Sequence, residues 1–221
     1  KLFFWFVTFC MCFACLFTMS RGAWMAMAVA VLVFSALVDR RLLLLILAAG
    51  LCSLSLPFVA SRIGYLLTPE FIASTTNGGR ASRWALALIY WSERPLFGVG
   101  LGMFGGAVAM QHKIYSAVSY FYVDNYYLKI LVEMGVIGLT VFLLLLVCLL
   151  FTGARTLYRT AKVQKDRPDY LLGAGLFSGL CGVVVHCYFE NIFEEPYMMA
   201  YFWMIAAMLV YLGFFRKKEH A

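Results

Sequence analysis

The chain has 221 residues, 64% hydrophobic and 13% charged, with a mean hydropathy of +0.87 and a net charge of +7. Such a composition lies far outside the soluble range and excludes an ordinary water-soluble enzyme. Recurrent apolar runs long enough to cross a bilayer point to an all-α, polytopic integral membrane protein.

In chain order, six spans are expected, each roughly 30 Å long as a helix. Lys1 leads straight into the first, Leu2–Met19. With no initiator Met, the chain reads as the C-terminal part of a larger protein, all of it one membrane domain. No small-residue cleavage site follows, which argues against a signal peptide. Ser20-Arg21-Gly22 forms the next junction, either a cap with an interfacial anchor or the seat of a functional arginine. Ala23–Val38 is the second span, Asp39-Arg40-Arg41 the connection, and Leu42–Ala60 the third span.

Residues 61–125 are too long for a plain loop and too polar for a span. After Thr75-Thr76-Asn77-Gly78-Gly79, the spacing of Trp84, Leu88 and Trp91 predicts an amphipathic helix from Arg80 that ends before Pro95. Its apolar face fits the membrane surface. Arg80 and Arg83 either snorkel to headgroups or hold an anionic ligand. Gly98-Val99-Gly100-Leu101-Gly102 is a poor dinucleotide fingerprint, since no strand precedes it. Its glycines serve close packing or the approach of a ligand. Asp124-Asn125 follows, where either residue suits an N-cap and Asp124 also suits a general base.

Tyr126–Phe151 is the fourth span, long enough to tilt or to project above the bilayer. Glu133 lies inside it, a functional candidate by depth or a partner for one of the arginines. Tyr170–Phe189 and Tyr197–Phe215 complete the set. His186 and Glu190 stand at i and i+4 on one face near the end of the fifth span, and Glu194 and Glu195 follow in the turn. His186 is either a packed, hydrogen-bonded residue or, with Glu190, a catalytic pair. The seven cysteines (Cys10, Cys12, Cys15, Cys52, Cys148, Cys181, Cys187) lie mostly in apolar runs and read as small buried hydrophobes, with no metal-ligand spacing.

Charge sets the orientation. Arg40 and Arg41, then Arg155, Arg159, Lys162, Lys165 and Arg167, then Arg216, Lys217 and Lys218 all fall on one side of six spans. The positive-inside rule makes that side cytoplasmic. Arg21, the segment 61–125 and the turn Asn191–Glu195 then face outward. The basic residues in short juxtamembrane loops give no sign of nucleic-acid binding.

Several motifs together resemble the O-antigen ligase/polymerase superfamily. Thr18-Met19-Ser20-Arg21-Gly22 is similar to its T-x-S-R-G motif. Gly79-Arg80 with Trp84, followed by Pro95-Leu96-Phe97-Gly98-Val99-Gly100-Leu101-Gly102-Met103-Phe104, is similar to G-R-x-x-x-W and P-L-x-G-V-G-x-G-x-F. Asp124-Asn125-Tyr126-Tyr127-Leu128 with Glu133-Met134-Gly135-Val136-Ile137-Gly138 resembles its [HD]-N-x-x-L…E-x-G-x-x-G block.

The resemblance implies a glycosyltransferase of the bacterial plasma membrane, working on the outer face. It would move glycan from an undecaprenyl-diphosphate carrier to an acceptor glycan or lipid, within membrane lipid. It implies no metal, no nucleotide sugar and no other cofactor. By motif, Arg21, Arg80 and Arg83 would hold the diphosphate, while Asp124, or His186 with Glu190, would activate the acceptor hydroxyl. Lipopolysaccharide ligases carry His where this chain has Asp124, which favours a polymerase or another polysaccharide ligase. The rival reading is a non-catalytic transporter of lipid-linked oligosaccharide or polysaccharide, which calls for polar residues near mid-bilayer and broken helices in repeat positions. A third is a structural subunit whose arginines bind anionic headgroups.

Overall fold

The computed structural model describes every residue except 1, 19, 54, 56, 66, 67, 78, 113–121, 165–167 and 215–221. Lys165, Arg167, Arg216, Lys217 and Lys218 of the expected cytoplasmic face therefore lie outside the described residues, as do Met19, Gly78 and Phe215. The described chain is helical, without a strand.

The first helices run α1 (Leu2–Phe17), α2 (Arg21–Val38) and α3 (Arg40–Ser53). They are followed by α4 (Pro57–Tyr65), α5 (Pro69–Thr76), α6 (Arg80–Glu93) and α7 (Gly106–His112). The last three are α8 (Tyr126–Gln164), α9 (Pro168–His186) and α10 (Pro196–Phe214), with a short 3-10 turn at Ile192–Glu194 before α10. Three stretches are long and apolar enough to cross a membrane: α2, Tyr126–Ala161 of α8, and α9. Trp5–Cys15 and Pro196–Leu212 are shorter apolar helices. In place of one helix over Leu42–Ala60 there are two. A proline lacks the amide hydrogen and clashes with the preceding turn, so the second helix starts at Pro57.

A seam of small residues joins α2 to α9 as an antiparallel pair. At one end, a Cβ added to Gly22 would lie 2.8 Å from the Phe189 Cβ; at mid-seam, one on Gly182 would lie 2.8 Å from the Ala26 carbonyl oxygen. At the far end the Tyr170 hydroxyl donates to the Leu37 carbonyl at 2.8 Å. Close backbone approach of this kind is how apolar helices associate when lipid offers no hydrophobic contrast. Leu146, Leu180, Phe193, Phe202 and Leu209 then bind α8, α9 and α10 into one core.

Helix α8 is sharply bent. Gly135 has φ 67° and ψ −171°, and the rings of Tyr126 and Phe142 meet with centroids 5.8 Å apart. In a straight helix these residues would stand about 24 Å apart along the axis. The stretch beyond the bend, Val136 to Ala161, is still about 39 Å long, more than the roughly 30 Å of a hydrocarbon layer. The first turns of α8 are thus a separate piece, free to pack on the segment before it.

That packing builds a second core from Ala87, Phe104, Val123 and Val132, flanked by Trp84, Tyr90, Trp91 and Leu128. The helix expected from Arg80 is present as α6. Its stripe of buried Ala87 with half-buried Trp84 and Trp91 covers protein rather than a membrane surface, while Leu88 stays exposed. Most cysteines also differ from expectation: Cys187 is buried, but Cys10, Cys12, Cys52 and Cys148 lie exposed on the surfaces of apolar helices.

Candidate active site

The charged residues of four separate segments meet at the Gly22 end of the α2–α9 pair. Ser20 caps α2, its hydroxyl accepting from the Ala23 amide at 3.3 Å. This cap starts the helix at Arg21, whose guanidinium lies over the Phe71 ring of α5, 5.7 Å from the centroid. Among the described residues Arg21 has no carboxylate partner. Arg80 and Arg83 stand one turn apart on α6 and reach across to both neighbours. Arg80 Nη2 donates to the Phe189 carbonyl at 2.8 Å and lies 3.4 Å from Glu190 Oε1. Its Nε lies 3.8 Å from Asp124 Oδ2. Arg83 Nη1 pairs with the same Asp124 oxygen at 2.7 Å and donates to the Tyr122 carbonyl at 2.7 Å.

These side chains surround a cavity of about 530 Å³. Arg21, Arg80, Arg83, Asp124 and Glu190 all line it, together with Phe71, Ser74 and Thr75 of α5. A volume of that size accommodates a small ligand. Three guanidinium groups face two carboxylates, so the lining keeps a surplus of positive charge. The ion pairs are partly exposed, which limits their contribution to stability; their consequence is placement. Burial raises the Glu190 pKa above the usual carboxylate range, and Asp124 pushes the same way, while Arg80 and Arg83 pull it down.

Not every candidate reaches the cavity. His186 lies one turn before Glu190, its ring against Gly22, and its Nε2 is buried without a hydrogen-bond partner among the described residues. Glu133 takes Lys129 rather than an arginine, at 3.1 Å, and its Oε1 also accepts from the Phe104 amide at 3.2 Å. The cap of α8 belongs to Asn125, whose Oδ1 accepts from the Leu128 amide at 3.1 Å, so the Asp124 carboxylate is free for the arginines.

The glycine-rich stretch is a clasp rather than a part of the cavity wall. The Val99 and Gly100 amides donate to the Val132 and Glu133 carbonyls at 2.9 Å each, and the Val136 amide donates to the Pro95 carbonyl at 2.9 Å. A side chain on Gly135 would collide with the Leu96 backbone, and one on Gly98 with that of Glu133. The loop is thereby locked into the bend of α8.

The contribution of α5, the Lys129–Glu194 pair at 2.6 Å and the buried Asn191 were not evident from the sequence. The i, i+4 spacing of Lys129 and Glu133 was the available signal for their pairing. Phe71, Ser74, Thr75 and Asn191 carry no comparable pattern. Among the described residues, no group of His, Cys, Asp and Glu is arranged to hold a metal ion.

A family profile described as O-antigen ligase matches residues 6–143, more than half of the chain. The chain belongs to the O-antigen ligase family. Comparison with curated proteins yields no match. Membership in the O-antigen ligase family indicates ligase-type function at a membrane, with a lipid-linked glycan and an acceptor as substrates in general. The matched stretch includes Arg21, Arg80, Arg83 and Asp124, whereas Glu190 reaches the same cavity from outside it.

Proposed function

We propose that the protein is a glycan polymerase or polysaccharide ligase of the bacterial plasma membrane. It takes glycan from an undecaprenyl-diphosphate carrier on the outer face and transfers it to an acceptor sugar hydroxyl. The observation that carries this reading is the convergence of Arg21, Arg80 and Arg83 on one cavity that also holds two carboxylates. A diphosphate is the anion such a cavity suits, because planar guanidinium groups bind phosphate oxygens in pairs.

The chemistry balances without a further reactant. The acceptor oxygen attacks the anomeric carbon, the bond from that carbon to the diphosphate oxygen breaks, and the electron pair leaves with the diphosphate. Arg21, Arg80 and Arg83 stabilise that growing charge. Asp124, 2.7 Å from Arg83, takes the hydroxyl proton. Glu190, on the other side of Arg80, orients the acceptor. His186 is given no step, because its ring lies against Gly22. A transporter is the weaker reading, since the charged groups gather at one end of the α2–α9 pair.

The test supplies purified protein with an undecaprenyl-diphosphate-linked glycan and an acceptor. Wild type is expected to form lengthened or transferred glycan and free undecaprenyl diphosphate; neither product forming would end the catalytic reading. Arg80→Ala should lower turnover by about a hundredfold or more with its helical circular dichroism unchanged. Asp124→Asn should be as inactive as Asp124→Ala, about a hundredfold down or more, since Asn125 is the helix cap. Activity retained in Asp124→Asn removes the proton-transfer role.

A further inference from the structure

Asp124 has a backbone conformation that needs support. Its φ is 52°, in the left-handed region, which residues with a side chain seldom occupy and which Asp and Asn tolerate best among them. Such a conformation persists only where its surroundings over-determine it. Ahead of Asp124, Arg83 Nη1 and Trp84 Nε1 donate to the Tyr122 and Val123 carbonyls at 2.7 and 2.9 Å. Both donors come from α6. After Asp124, the Tyr126 amide donates to the Cys187 carbonyl at 2.8 Å, and the Asn125 amide donates to Asn191 Oδ1 at 3.2 Å.

The Asn191 side chain is buried, and its orientation is dictated by its neighbours. Because Oδ1 accepts from Asn125, Nδ2 must find an acceptor, and it donates to Glu194 Oε2 at 3.3 Å. The other Glu194 oxygen takes Lys129 Nζ at 2.6 Å. Lys129 is anchored in turn by the Phe104 and Gly105 carbonyls at 3.1 and 3.0 Å. Asn191 also directly follows Glu190. One amide therefore links the peptide beside Asp124 to the turn that presents Glu190, and these two carboxylates share Arg80.

We propose that Asn191 is a positioning residue for glycan transfer: by holding the Asn125 amide it fixes the left-handed turn at Asp124 and the offset of that carboxylate from Glu190, with Glu194 and Lys129 setting its amide orientation. The inference rests on the transfer reading above. It assigns Asn191 no contact with substrate.

A polarity swap tests it. Asn191→Asp keeps an acceptor for the Asn125 amide but turns its second oxygen on the Glu194 carboxylate. Glu194→Gln must accept from Lys129, so its amide nitrogen faces that of Asn191, donor against donor. The double variant restores every match. The glutamine oxygen accepts from Lys129, its nitrogen donates to the new aspartate, and that aspartate accepts from Asn125. Each single variant should lower kcat about ten- to a hundredfold, with KM for the lipid-linked donor within about threefold. The double should return to within about threefold of wild type. A side chain that merely fills space predicts accumulating losses instead, so a double no better than the worse single overturns the proposal.

Hydrogen exchange of the Asn125 and Tyr126 amides reads the same hold without turnover. Faster exchange in the singles and recovery in the double support it. If wild type transfers no glycan but exchange follows that pattern, the transfer reading fails while the hold of Asn191 on Asp124 stands. Unchanged exchange in the singles overturns that hold.

Discussion

Asp124 and Glu190 share Arg80, yet their surroundings differ. Asp124 is the less exposed and has its own close partner in Arg83, whereas Glu190 has the longer contact with Arg80 to set against the cost of its partial burial. The folded protein holds the Glu190 proton to higher pH than the unfolded chain does, where the ordinary value is 4.5. Stability linked to that proton is complete below that value and is lost as pH rises through the folded pKa. Glu190→Gln fixes the neutral form, so its Tm should rise relative to wild type between about pH 4 and about pH 7. A difference in Tm that stays flat or falls over that range would refute the assignment. At this scale much was legible: Arg21, Arg80, Arg83, Asp124 and Glu190 were all singled out from the sequence, and the structure brings them to one cavity. Each is charged in an apolar chain, so each stands out. Asn191 is uncharged and does not, and Lys129, though charged and spaced to meet Glu133, has its other partners Phe104, Gly105 and Glu194 in segments distant along the chain.

The bend in α8 belongs to the next scale. A hydropathy profile reads Tyr126–Ala161 as one apolar run, since the backbone dihedrals of one glycine leave the profile unchanged. The dihedrals of Gly135 fall in a region that only glycine occupies readily, at about 1–3 kcal/mol for other residues. A Cβ there would also collide with the loop at Leu96. Gly135→Ala should therefore destabilise the protein by about 2 kcal/mol or more, read as a fall in Tm. Gly175→Ala in α9 is the control, because a Cβ there meets nothing within 4 Å. Equal Tm values for the two variants would mean that the clasp contributes nothing. The same clasp explains why the glycine-rich motif was ambiguous in sequence. Its residues reveal that backbone comes close to something, but the something is the Val132–Gly135 backbone of the chain itself.

For the whole molecule, the expected all-α membrane architecture is present, while residues 42–60 divide into two helices because Pro57, apolar enough to pass for part of a span, starts a helix of its own. The proposed orientation puts the cavity outside and Arg155 and Arg159 inside. In a cysteine-free background, Thr76→Cys should react with a membrane-impermeant maleimide in intact cells, and Arg159→Cys only after permeabilisation. The opposite pattern would invert the topology and take the cavity away from an outer-leaflet carrier. The seam between α2 and α9 has one further consequence. It fixes both the angle and the height at which Arg21 arrives, because Gly22, Ala26 and Leu37 are each keyed to a particular site on the partner helix. Inserting a single residue into α2 between Ala26 and Leu37 would turn everything before it by about 100° and lift it by about 1.5 Å. That helix thus works as a gauge whose length is fixed to the residue.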